Sequence, residues 1–228
     1  MLRELFEAFR KNSLLAQAFE RSAEMLQLDR DMFQVAVQSL RHSDDSRLPM
    51  DIYAADRKIN AYEMDVRRKV LTHMAVSSGT DLSAGLVLVS IVIDIERIGD
   101  YTKNIVDLTL RHPARLDCSV FEEVISRMEE TVRRAFDALI EAIPESDVEK
   151  AGTVMAEHWW IGKHADDIVY QLLERKVEGM EARDAVAIAL YARYLKRISA
   201  HLMNTASSIV NPFERIGFRR DGSGPEEE

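Results

Sequence analysis

The sequence predicts an all-α fold arranged as two tandem three-helix bundles, and three observations carry that expectation. Apolar residues recur at three- and four-residue steps along almost the whole chain, as one face of a helix requires. No stretch alternates as a strand would, and the helical pattern starts again after residue 113. The expected units are a first bundle at residues 1–113, a second at 114–211, and a disordered tail at 212–228 that is rich in Gly, Arg and Glu.

In chain order, the first seam runs from Leu5 through Phe9, Ala16, Phe19, Ala23, Leu26, Phe33, Val37 and Leu40 to the polar break His42-Ser43-Asp44-Asp45-Ser46. A single long helix is expected there. The second helix should begin near Pro49 or Met50 and carry Ile52, Asp56, Ile59, Glu63, Val66 and Val70 on its seam. Gly79 reads as its stop and Thr80 or Asp81 as the N-cap of the third helix. That third helix buries Leu88, Ile91, Ile95, Ile98, Thr102 and Ile105 and should end before His112-Pro113. The fourth is marked by Phe121, Val124, Met128, Val132, Phe136, Leu139 and Ile143 and closed by Pro144-Glu145-Ser146-Asp147. The fifth is expected to reach about Gly179, and the sixth to run from about Ala182 to Val210. Shifting the third helix by 100 residues sets Arg97-Ile98 on Arg197-Ile198 and Asn104 on Asn204, which reads as an internal repeat. Lys196 then stands opposite Glu96, and Ala200 opposite Asp100; on the preceding helix His158 falls opposite Asp56.

Composition narrows the function. With 228 residues and 46% hydrophobic content the chain can fill a large core. Thirty Lys and Arg against 39 Asp and Glu give a net charge of −9, which argues against nonspecific binding to nucleic acid or anionic lipid over the whole surface. The start Met1-Leu2-Arg3-Glu4 lacks the apolar core of a signal peptide, and the single Cys118 cannot form an intrachain disulfide. A cytoplasmic protein is expected. The apolar run from Ala84 to Ile93 is broken by Asp94 and Glu96, short of the ~20 residues a membrane span needs. Gly79, Gly85 and Gly99 lie too far apart for a nucleotide-binding loop and no Gly-Lys-Ser/Thr occurs, so kinase or ATPase chemistry is not expected.

The most informative stretch is Val92 to Ile105. Glu96, Asp100 and Asn104 follow one another at i, i+4 and i+8 beside the apolar seam. Like charges one turn apart repel by roughly 0.2–0.5 kcal/mol. Asp56 and Glu63 add two carboxylates on the packing stripe of the second helix, where an unpaired charge would be costly. No Lys or Arg shares that stripe, and Arg97, about 100° around the helix from Glu96, is expected to face outward. A cation is therefore the expected partner. Oxygen ligands favour Mg, Ca or Mn, and a carboxylate bundle can hold iron. The plainer alternative is a solvated acidic face. His158, His164 and His201 would be a replacement site in the second half or, more simply, ordinary surface and core residues.

The phrase Asp94-Ile95-Glu96-Arg97-Ile98-Gly99-Asp100 with Asn104-Ile105, and Asp56-Arg57-Lys58-Ile59-Asn60 ahead of Glu63, resemble the PhoU family of phosphate-signalling regulators over roughly residues 1–211. The resemblance implies a cytoplasmic adaptor that represses the phosphate-starvation response through a sensor histidine kinase and the phosphate transporter, peripheral to the membrane only through them and able to form a homodimer. It also implies a metal motif of the form Glu/Asp-x-x-x-Asp that can hold iron or zinc. Glu96 and Asp100 match it directly; Asp56, Asn60 and Glu63 match the accompanying helix less closely. Lys196 and Ala200 depart from it in the second half. The alternative, a di-iron-type oxidase or metal store, is disfavoured because Gly99 and Val66 stand where a Glu-x-x-His pair would need histidine.

Overall fold

The computed structural model describes residues 13–44, 48–77, 81–112, 114–174, 177 and 179–219. Six long helices make up the described residues: α1 (Leu14–Arg41), α2 (Ile52–Val76), α3 (Leu82–Arg111), α4 (Glu122–Glu145), α5 (Val148–Leu173) and α6 (Ala182–Val210). No strand occurs among them. Side chains that accept otherwise orphaned N–H groups fix several of the starts. Ser13 accepts from Ala16 N at 3.1 Å, Asp51 from Ala54 N at 2.9 Å, and Asp147 from Glu149 N and Lys150 N at 3.0 Å.

Several expected boundaries move. Asp51, not Pro49 or Met50, caps α2. Asp81 is the N-cap residue of α3, as expected, but its side chain makes no capping bond: the carboxylate turns to His73 Nε2 at 2.8 Å. Pro144 lies inside the last turn of α4, which ends on left-handed Ser146. The fifth helix stops at Leu173, short of Gly179. Leu5, Phe9, Gly79, Thr80 and Pro113 lie outside the described residues.

α1, α2 and α3 pack together, as do α4, α5 and α6, and the two sets meet where α3 lies against α6 and α1 against α4. Ile95, Ile98, Leu195 and Ile198 are fully buried, in one apolar core that runs through both sets. A polar tie crosses the same junction. The guanidinium of Arg41, at the end of α1, donates to Glu129 at 2.9 Å, to Glu122 and to the Leu116 carbonyl. Tyr191 of α6 donates to the same Glu129 carboxylate at 2.7 Å. Arg41 and Glu129 are both buried.

The segment after α6 is not the featureless tail its composition suggests. A 3-10 turn at Phe213–Arg215 folds back, with Phe213 and Ile216 against the core. Asn211 donates to the carbonyls of Arg215 and Phe218, and Gly217, at φ +89°, donates its N–H to Ser207 Oγ at 2.8 Å. A positive φ of this kind suits glycine. Polar bonds thus anchor residues that lack helical periodicity.

Candidate functional site

The acidic residues come from α1, α2 and α3. Asp56 and Glu63 lie two turns apart on α2, and Glu96 and Asp100 one turn apart on α3. To these the structure adds Asp29 of α1, which is fully buried. Neither carboxylate oxygen of Asp29 has a hydrogen-bond partner among the described residues. Burial, then the charges of Glu96, Asp56 and Asp100, push its carboxyl well above the usual carboxylate range. The Glu96 carboxyl is also raised, by burial first and then by Asp100, with Glu63 and Asp56 adding and Arg97 opposing. Gly99 makes room for this approach: a Cβ there would stand 2.9 Å from Asp29 Oδ1 and 3.1 Å from Ile59 Cδ1.

Asp29 was legible in principle. The first seam steps seven residues from Leu26 to Phe33, and dividing this gap into helical steps of three and four falls on Asp29 or Arg30, which narrows the buried polar position to those two. Asn60 and Asn104 sit half-buried on α2 and α3 and make no side-chain hydrogen bond among the described residues.

Two expectations about charge are corrected. The acidic cluster has its own cations. Lys103 Nζ of α3 bridges Asp56 Oδ1 at 2.8 Å and Asp100 Oδ1 at 3.0 Å. Burial alone would lower the pKa of this ammonium, but its bonds to the two carboxylates and their charges raise it. Arg97 is exposed, as expected, yet its long side chain returns to Asp100 Oδ2 at 2.9 Å and to Glu96 Oε2 at 3.5 Å. Glu63 is held by Arg67 at 2.8 Å, one turn on along α2. Each expected carboxylate therefore meets a Lys or Arg nitrogen, whereas Asp29 meets none among the described residues. Among the described residues no three His, Cys, Asp or Glu side chains gather so as to hold a metal ion. As placed, this donor set does not fit a metal: no three of its carboxylates converge, and an ammonium bridges two of them.

The second half has a different interior. The buried positions of α1 and α4 superimpose at an offset of 103, Ser22 on Ile125, Met25 on Met128 and Phe33 on Phe136, which sets Val132 opposite Asp29. Lys196 donates to Asp166 of α5, which also receives Arg193 at 3.2 Å. His158 Nδ1 pairs with Ser199 Oγ at 3.1 Å. Burial, with Lys196, Arg197 and His201 nearby, lowers its pKa to about 4. His164 Nδ1 meets the Trp160 carbonyl at 2.8 Å, and His201 meets Asp94 Oδ1 at 2.8 Å. The three histidines thus have separate partners. Asp94, part of the informative phrase, serves the junction of the bundles: it also accepts from Asn204 at 2.9 Å, and Tyr101 stacks on His201 at 5.7 Å. Cys118 is buried and its thiol is pushed up to about 12, chiefly by burial, which makes it unreactive.

Comparison with known proteins agrees with this architecture. The chain is 25% identical over 171 residues to the phosphate-specific transport system accessory protein PhoU of Serratia marcescens, covering 74% of this chain and 70% of that one. It is 24% identical over 184 residues to the protein of the same name from Escherichia coli K12, covering 79% and 76%. The fold is similar to crystal structures of PhoU from Pseudomonas aeruginosa (TM-score 0.75, 21% identity, 86% of this chain and 95% of that one) and of the phosphate transport system regulatory protein PhoU from Streptococcus pneumoniae (TM-score 0.74, 16% identity, 86% and 92%). The PhoU domain matches twice, at residues 22–109 and 125–217, once in each bundle, and the chain therefore belongs to the PhoU domain family.

Proposed function

We propose that this chain is an accessory regulator of phosphate-specific transport, acting by binding proteins and lowering phosphate uptake and phosphate-starvation signalling when phosphate is plentiful. The observation that carries the reading is the double PhoU-domain match, one per bundle, beside relatives named as accessory proteins of the phosphate-specific transport system. Its partners are transporter components and a sensor histidine kinase, met at the inner face of the membrane. Among the described residues no helix is long and apolar enough to cross a membrane, so contact with the bilayer runs through those partners. Long helices offer broad side surfaces that suit helical partners. The role needs no turnover.

The test is a deletion with complementation. In phosphate-rich medium the deletion should raise phosphate uptake and expression of phosphate-starvation reporters, and the full chain should restore both. Unchanged uptake and reporters in the deletion, with no paralogue present, would overturn the reading. Co-purification from cells grown at high and low phosphate would then identify the partner whose occupancy follows phosphate.

A further inference from the structure

We propose that the amino-terminal segment of this chain, residues 1–12, docks in the groove between α5 and the stretch that follows α6, and covers Trp159 there. The groove has a volume of about 620 Å³ and is lined by Val148, Met155, Trp159 and Val210. It is open at Gly152, where a Cβ would meet nothing within 4 Å. Arg219 stands over the Trp159 ring at one side, 4.0 Å from its centroid, and Glu149 and Glu157 of α5 also line the groove. A half-buried indole in an apolar hollow of this size suits a chain segment with large apolar side chains.

Three observations select the occupant. α1 runs antiparallel to α4, since Arg30 meets Asp137 and Arg41 meets Glu129, so α1 starts at the end of the molecule where α4 finishes and α5 begins. Twelve residues reach up to ~40 Å when extended, enough to cross that end. Ser13 is extended, at φ −75° and ψ 151°, and its hydroxyl caps α1, so the apolar seam of α1 begins there and residues before it need their own cover. Among those residues Leu2, Leu5, Phe6 and Phe9 fall at i, i+3, i+4 and i+7, one stripe of a helix. Arg3 and Arg10 flank that stripe seven residues apart, and Glu149 and Glu157 stand eight apart on α5, with Glu157 also bound to Arg134 at 3.1 Å. The other end of the chain cannot fill the groove: residues 220–228 include no large apolar side chain. The inference stands apart from the adaptor role, since it is read by fluorescence and cross-linking and not by phosphate uptake.

The experiment uses the full chain and two readouts. The chain has two tryptophans, so Trp160→Phe leaves Trp159 as the only indole; adding Phe6→Ser and Phe9→Ser should raise its quenching by acrylamide about twofold. For the second readout the single native cysteine, Cys118, is buried, which leaves introduced thiols as the reactive ones. Ala8→Cys paired with Thr153→Cys, at the groove, is compared with Ala8→Cys paired with Leu86→Cys, on the exposed side of α3. A short bismaleimide should join the first pair within one chain at least about five times faster than the second, and Phe6→Ser should remove the preference. Should the double serine variant fail to fold, the cross-linking rates with the native segment decide alone. Three results would each overturn the proposal: unchanged quenching in the folded variant, cross-linking to Leu86→Cys as fast as to Thr153→Cys, or a Thr153→Cys product that joins two chains, which would give the groove to a second copy.

Discussion

Asp29 and Val132 occupy matching positions in the two bundles, one a carboxyl without a partner among the described residues and the other an apolar side chain of similar size. An unsatisfied buried polar group costs about 1–3 kcal/mol. Asp29→Val should therefore stabilise the protein by about that amount, seen as a higher urea midpoint at unchanged slope; a lower midpoint would mean that Asp29 has a partner in solution. Gly99→Ala should go the other way. Alanine in place of glycine gains about 1 kcal/mol of helix propensity, but its Cβ would press on both Asp29 and Ile59, and overpacking costs about 1–3 kcal/mol. The expected outcome is a net loss. His158 sets a pH dependence. Its pKa is near 4 in the fold against about 6.5 unfolded, so between those limits the unfolded chain binds a proton that the native one does not. Stability contributed by neutral His158 is complete above pH 6.5 and falls by up to about 1.4 kcal/mol per pH unit down to pH 4. The stability difference between wild type and His158→Gln should change with that slope; a flat difference would place the imidazole in water.

At the scale of elements, α1 illustrates what sequence can and cannot reveal. Its apolar periodicity is local, so the helix, its buried face and its polar ending at Arg41 and His42 can be read from one stretch of chain. The partners of its polar residues cannot. Arg41 looks like a cation at a helix C-terminus, where it would favour the helix dipole, yet it is buried and bound to residues 75 to 88 positions away. The acidic site divides in the same way. Glu96 and Asp100 announce themselves by i, i+4 spacing, whereas Lys103 reaches Asp56 across a helix interface. Arg97 starts from the outer face of α3 and folds back, which side-chain length allows and angular position does not disclose. The shortened α5 reflects weak stop signals, since Gly179 lies six residues beyond the last helical one. Replacing Arg41 with Met should cost about 3–5 kcal/mol, because Glu129 would keep its buried charge with no cation beside it. Tyr191→Phe, which removes one hydrogen bond to the same carboxylate, should cost about 1–2 kcal/mol. Equal losses from the two changes would contradict this ranking.

For the molecule as a whole, one apolar core and the Arg41–Glu129–Tyr191 tie run through both bundles. Heat should therefore unfold them together, with calorimetric and van't Hoff enthalpies equal; Arg41→Met should be the change that splits the transition in two. Two resolved transitions in wild type would show that the bundles are thermodynamically separate. The repeat has a further consequence, which follows from the unlike interiors of its halves. The two halves repeat the same order of three helices and meet through corresponding ones, α3 on α6 and α1 on α4, yet carboxylates gather near α3 where Lys196 and Ala200 stand near α6. A partner with true two-fold symmetry would find two ways of docking that match in outline and differ in charge. Such a molecule behaves as a keyed plug: its outline admits either orientation, and its electrostatics admits one.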